Sequence, residues 1–372
     1  MLSVLDQGAL NPHADQHAYG NAAARQLKAD RATIAASVGC TAAEVILTSG
    51  ASEANNLGLK GIALAARVRG RRRILIGATE HSCVRNSADW LAGQGFVVET
   101  LPVTRKGVLD LGALEAAIGP DVALVATMAV NNETGVCHPL ADIAGISARH
   151  GVAVHCDAAQ APGRIPLPWT KTHPTSLSLS AHKIGGPVGV GALIVRRDPP
   201  VLMEPLIHGG GQERGLRAGT VPVALVAGFA AALQESVLKT GAQAQQASLL
   251  ENRLIRSLGG AGIAFTHNGA TADRAAGILS LTLDRPAEDV MDACPNLALA
   301  TGAACQSNSG RPSHTLLAMG LSTTQADRTI RVSFGPETTA ADIDHAVTGL
   351  VQACSPPKSG GSGQRPVQPI GE

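Results

Sequence analysis

An α/β fold, with a mostly parallel central sheet flanked by helices and a smaller α+β region behind it, follows from three features of this sequence. Short runs rich in Val, Ile and Leu alternate with helix-length segments from residue 41 to about residue 195. Several of those runs are apolar throughout rather than alternating, the pattern of strands buried on both faces. The 42 glycines among 372 residues are spread along the chain without a collagen-like period, as a loop-rich globular protein needs.

In order along the chain, residues 1–40 read as an N-terminal helical segment. Residues 41–235 read as a large α/β domain, residues 236–354 as a small α+β domain and residues 355–372 as a disordered tail. Strands are predicted at 44–48 (EVILT), 73–77 (RILIG), 96–101, 122–130 (VALVATMAV), 152–156 (VAVHC) and 192–195. Helices are predicted at 52–69, 84–93, 110–118 and 140–150. An alanine-rich helix is expected from Pro222 to about Gln246, followed by strands at 278–283 (ILSLTL), 297–300 and 329–334 (TIRVSF).

Composition excludes several roles. Lys plus Arg total 30 against 29 Asp plus Glu, a net charge of +1, so no global field draws the chain to nucleic acid or an anionic membrane. Aromatic residues at 2% leave little for stacking on single-stranded nucleic acid. The seven cysteines (Cys40, Cys83, Cys137, Cys156, Cys294, Cys305, Cys354) include no C-x-x-C pair, and no Cys/His grouping has structural-zinc spacing. The longest apolar stretch, 221–233, falls short of the roughly 18 residues of a bilayer span, and Met1 opens no signal peptide. These features point to the cytoplasm, with Cys83, Cys137 and Cys156 read as small core residues.

Three local patterns carry chemistry. Residues 175–183 (TSLSLSAHK) form a strand ending at Lys183, beside Gly185, Gly186 and Pro187. That setting suits a Schiff-base lysine, and equally a solvated strand-end lysine. Asp157 closes the apolar strand VAVHCD at the edge where such sheets bind ligands. It is placed to pair with a pyridinium nitrogen, or to cap a helix. Residues 48–55 (TSGASEAN) join a strand to a helix, giving a phosphate cradle or an ordinary capping box. The glycine run 208–215 follows no clear first strand and has no acidic residue placed for a ribose, so a dinucleotide site is rejected.

Eight motifs in order extend these patterns: TSGASEANN (48–56), TEHSCV (79–84), NNETG (131–135), DAAQ (157–160), SAHKIGGPVGVGAL (180–193), HGGGQERGLRAGT (208–220), TGAAC (301–305) and IRVSFG (330–335). Together they resemble the cysteine desulfurases of the class V, fold-type I pyridoxal-phosphate enzymes, in particular the group serving iron–sulfur cluster assembly. The match runs from about Asn11 to about Val347. It implies a fold-type I transferase that converts L-cysteine to L-alanine and leaves a persulfide on Cys305.

By this resemblance Lys183 would hold pyridoxal 5'-phosphate and then act as base at the substrate α-carbon. Asp157 would keep the ring nitrogen protonated, Asn132 and Gln160 would bond the ring oxygen, and His81 would stack on the ring and move protons. The phosphate would be bound by Ala51, Ser52, Ser180 and His182, with Thr220 reaching the cofactor of the other subunit, which implies a homodimer. Arg331 would clamp the substrate carboxylate, Asn132 would also bind the substrate, and Arg328 is the arginine with which Arg331 is most easily confused. A sulfur-acceptor or iron–sulfur scaffold protein is the implied partner.

The chain departs from the family pattern in four places, one of them a C-terminal tail that does not resemble the partner-binding tail of housekeeping members. The opening strand and Asn-Ala-Thr-Thr segment are expected to be absent, Ser52 stands where threonine is usual, and Ala303 replaces a serine. The neighbouring readings are a selenocysteine lyase, an aminotransferase of small amino acids and a non-catalytic homologue that acts as a partner.

Overall fold

The computed structural model describes residues 1–354 except 7, 9, 10, 15, 168, 199 and 302–310. A short α1 (Leu2–Leu5) and a long α2 (Ala18–Val38) lead into the main sheet. Helix α2 stops at Gly39, whose φ of +81° is the left-handed C-cap that glycine adopts without strain.

Seven strands then alternate with helices: β1 (Val45–Thr48), α3 (Ala51–Arg67), β2 (Arg73–Gly77), α4 (Ser82–Ala92), β3 (Val97–Leu101), α5 (Leu111–Ala117), β4 (Val122–Met128), α6 (Leu140–Arg149), β5 (Ala153–Asp157), α7 (Trp169–Thr172), β6 (Ser176–Ser180) and β7 (Gly191–Val195). They form one sheet in the order β1-β7-β6-β5-β4-β2-β3. Strands β2 to β6 pair in parallel. All seven residues of β4 are buried, as befits a central strand covered on both faces. The sheet is mixed, because β7 runs antiparallel to both β1 and β6. That double reversal returns β1 to the direction of β6 and has a consequence for the site.

The single helix expected from Pro222 to about Gln246 is instead two. Helix α8 (Val223–Leu238) ends at Lys239, and α9 (Thr240–Gly260) leaves at 69° to it. Among the described residues no single helix is long and apolar enough to cross a membrane. Beyond α9 come β8 (Phe265–His267), β9 (Ile278–Leu283), α10 (Ala287–Ala293), β10 (Ala300–Thr301), α11 (His314–Ala318), α12 (Thr323–Asp327), β11 (Thr329–Ser333) and α13 (Ala340–Cys354). The second sheet is antiparallel, in the order β10-β11-β9-β8. Strand β8 was not legible as a strand, since three half-exposed residues carry no alternation. The run expected at 297–300 reduces to the two residues of β10.

Each sheet has its own core. Phe229 and Leu233 of α8 lie with Leu177 and Leu179 of β6 in the first, and Leu254 of α9 with Leu279, Leu281, Ile330 and Val332 in the second.

Candidate active site

The carboxyl ends of β1, β2, β4, β5 and β6 share one edge of the large sheet, because β7 restores β1 to their common direction. Gly50, Ala51 and Ser52 follow β1, His81 follows β2, and Asn132 follows β4. Strand β5 ends on Asp157, with Gln160 half-buried three residues later, and β6 ends on Ser180, ahead of His182 and Lys183. Residues 133 positions apart in sequence thus converge on one edge.

The floor of this edge is buried and polar. Asp157 accepts hydrogen bonds from Asn55 Nδ2 at 2.7 Å, the Ala159 amide at 3.0 Å and Ser178 Oγ at 3.3 Å. Asn55, fully buried on α3, turns its Oδ1 to His155 Nε2 at 2.9 Å, and His155 Nδ1 meets Ser176 Oγ at 2.8 Å. Burial pushes the His155 imidazole down to about 4, so the ring is neutral near pH 7. A Cβ on Gly58 would lie 2.4 Å from His155 Cε1, so α3 carries a glycine where the ring must fit. Glu80 is also fully enclosed. Its Oε1 accepts the Met128 amide at 2.8 Å, while Oε2 has no partner among the described residues. Burial first, and then the charge of Asp157, raise its carboxyl well above the usual range.

His81 is the N-cap of α4. Its Nδ1 accepts the Cys83 amide at 3.2 Å and lies 3.0 Å from Cys83 Sγ. Cys83 packs against the core beneath α3 and α4, as a small core residue would, and also touches the site, because its sulfur accepts from Asn55 Nδ2 at 3.2 Å. Burial pushes its thiol up to about 12.

On the open side, α3 begins at Gly50 (φ +148°) with no side chain capping its first turn, which leaves amide donors for an anion. Ser180 Oγ lies 3.0 Å from His182 Nδ1, and a Cβ on Gly50 would come within 3.6 Å of that hydroxyl. Glu53 Oε2 accepts the Ser49 amide at 2.8 Å, and Arg217 binds Glu53 at 2.8 Å, fixing this turn to the glycine-rich loop. Ser52, His182 and Lys183 are exposed here, and Thr220 is exposed just before α8. Partial burial and the Lys183 ammonium hold the His182 imidazole below its ordinary value. Lys183 also lines a cavity of about 590 Å³ that it shares with Arg164, Gln243 and Phe334, away from the other predicted site residues.

The second sheet supplies Arg331. Ile330 and Val332 face the small core, so strand alternation turns Arg331 the other way. Its Nη1 donates to the Asn132 carbonyl at 3.2 Å, and its buried Nε has no partner among the described residues. An orphaned guanidinium donor fits a substrate carboxylate. Beside Asn132, Glu133 accepts Ser313 Oγ at 2.5 Å, and burial raises its carboxyl to about 7. Arg328 instead closes α12. Cys305 lies outside the described residues.

The donor set fits pyridoxal 5'-phosphate. Asp157 offers a buried acceptor for a protonated ring nitrogen, Lys183 offers an accessible amine, and the open α3 terminus with Ser180 and His182 suits a phosphate. Asn55, Glu80, Cys83, Glu133 and His155 were missed from sequence. Four of the five stand inside or one residue from a quoted motif, which is the signal that could have found them.

The family profile described as Aminotransferase class-V matches residues 1–346. A protein of Homo sapiens named cysteine desulfurase is 40% identical over 343 residues, covering 92% of this chain and 75% of its own length. A solved structure titled NifS-like protein aligns with a TM-score of 0.85 at 30% identity, over 92% of this chain and 90% of its own. Another, titled SspA in complex with cysteine, aligns with a TM-score of 0.78 at 32% identity, over 90% of this chain and 93% of its own.

Proposed function

Because the chain belongs to the class-V aminotransferase family, and within it to the cysteine desulfurases, we propose the following division of labour at its sheet edge. Lys183 holds pyridoxal 5'-phosphate, with Asp157 facing the ring nitrogen and Asn132 and Gln160 facing the ring oxygen. Ala51, Ser52, Ser180 and His182 receive the phosphate. When bound, the cofactor supplies an electron sink for charge developing at the substrate α-carbon. Arg331, already directed by the Asn132 carbonyl, orients the cysteine carboxylate. Lys183 would remove the α-proton of the bound cysteine, and His81 would move protons beside it.

The thiolate of Cys305 attacks the substrate sulfur. An S–S bond forms, the Cβ–S bond breaks with its electron pair left on carbon, and the carbon fragment takes up two protons, one at Cβ from the thiol hydrogen released in the step and one returned to Cα by Lys183, to leave as L-alanine. Only a thiolate is nucleophilic enough for that step. The sulfane sulfur on Cys305 then passes to a protein or small-thiol acceptor, with iron–sulfur assembly as its use. Thr220 of one subunit serves the cofactor of its partner in a homodimer. We place the protein in the cytoplasm; three fungal relatives and one of Drosophila melanogaster carry the word mitochondrial in their names.

The observation that carries this reading is the orphaned Nε of Arg331, whose Nη1 the small sheet brings to the carbonyl of Asn132, 199 positions away in sequence. The test is to supply the protein with pyridoxal phosphate, add L-cysteine and a thiol reductant, and quantify alanine. Alanine in excess over enzyme supports the reading. A yellow, cofactor-loaded protein that forms no alanine overturns it.

A further inference from the structure

The hydrogen bonds beneath the site run in a single direction. His155 is neutral, and its Nε2 faces the Asn55 carbonyl oxygen, so Nε2 carries the proton and Nδ1 accepts from the Ser176 hydroxyl. The Asn55 amide is thereby fixed with Nδ2 toward Asp157 at 2.7 Å and toward Cys83 Sγ at 3.2 Å. Asp157 and the Cys83 sulfur are both acceptors of that NH2 group. His81 Nδ1 already accepts the Cys83 amide, so it bears no proton, and the contact at 3.0 Å must be S–H donating to Nδ1. A thiol pushed up to about 12 has that hydrogen to give.

We propose that Cys83 is a positioning residue: directed by Asn55, its thiol joins the Cys83 backbone amide in holding the His81 ring in the Nε2–H tautomer, so that His81 enters the reaction as a proton donor at Nε2. The inference rests on the reading that His81 faces the reacting atoms. Its consequence is an order of events. His81 first delivers a proton from Nε2 and only afterwards has a lone pair there with which to accept one, so the α-proton is left to Lys183.

The test compares Cys83→Ala with Cys83→Ser in the cofactor-loaded enzyme labelled with 15N-histidine. The His81 tautomer is read from its ring-nitrogen shifts, beside kcat and KM for L-cysteine. Serine keeps a donor and alanine does not. The expected result is a single Nε2–H tautomer in the wild type and the serine variant. The alanine variant keeps the amide but loses the thiol donor, so an Nδ1–H population should appear beside Nε2–H, with kcat lowered about two-fold, in step with the Nε2–H population lost, at unchanged KM. Alanine behaving as wild type while serine is damaged overturns the proposal, because a sulfur that merely packs tolerates a methyl better than a hydroxyl. An unchanged tautomer in the alanine variant also overturns it, whatever happens to kcat. The tautomer readout needs no turnover. A shift in a protein that makes no alanine therefore upholds the proposal while the desulfurase reading falls.

Discussion

The two ends of the site are built on opposite principles. At the floor, Asp157, Asn55, His155 and Ser176 come from α3, β5 and β6 of one sheet, and each side chain is buried and paired. At the substrate end, Arg331 arrives from the other sheet, makes one bond to a backbone carbonyl, and keeps a buried Nε without a partner among the described residues. A satisfied floor is rigid before any ligand arrives, because breaking one of its bonds would strand a buried polar group. The unsatisfied arginine is the reverse, a donor left open for the proposed substrate carboxylate.

The largest effect should come from the two groups proposed to do the chemistry. Lys183→Ala is expected to abolish alanine formation, a loss of more than about 10⁴-fold, and to bleach the bound-cofactor absorbance. Cys305→Ala should instead keep the absorbance and its change on adding L-cysteine while forming no alanine. Normal alanine turnover by the Cys305 variant would remove that residue from its role.

Next, Arg331→Ala should raise KM for L-cysteine by roughly 100-fold while cofactor content stays near wild type, since one charge-assisted carboxylate pair is lost. Equal losses in cofactor and substrate binding would mean that the two ends are not separable.

At the floor the expected cost is in stability. Asn55→Ala removes a donor to Asp157 and an acceptor for His155, and should destabilise the fold by about 2–4 kcal/mol in denaturant titration. Unchanged stability would show that the floor is not the rigid half of the comparison.

The smallest effect concerns Glu133. Its folded carboxyl sits at about 7 against an ordinary value of 4.5, so the fold retains a proton that the unfolded chain releases. The linked stability is complete below about pH 4.5 and is lost as the pH rises through about 7. Glu133→Gln should therefore flatten the fall in Tm over that window, by an amount on the order of 1–3 kcal/mol. Glu80, raised in the same direction, stays in both proteins and cancels in the difference. A variant whose Tm tracks the wild type across the window would show that Glu133 does not titrate there.

The parallel strands were legible because burial on both faces leaves runs such as RILIG (73–77), which the structure returns as β2 without a shift in either end. The edge residues were legible for the same reason, since apolar strands end where polar ligand-facing side chains begin. The break at Lys239 was not, because both halves of that stretch are good helix formers and the 69° turn is imposed by packing on two different cores. Nor was the role of Cys83, which as a lone small residue is indistinguishable in sequence from a core thiol.

The sequence by itself determined which side chains stand at strand ends and in what order, because local periodicity and motif spacing are written one residue after another. Only the tertiary structure decided that Arg331 meets Asn132 and that Asn55 links Asp157, His155 and Cys83. Those contacts join residues 28 to 199 positions apart, and such separations are closed by the packing of whole sheets and helices, not by any local pattern.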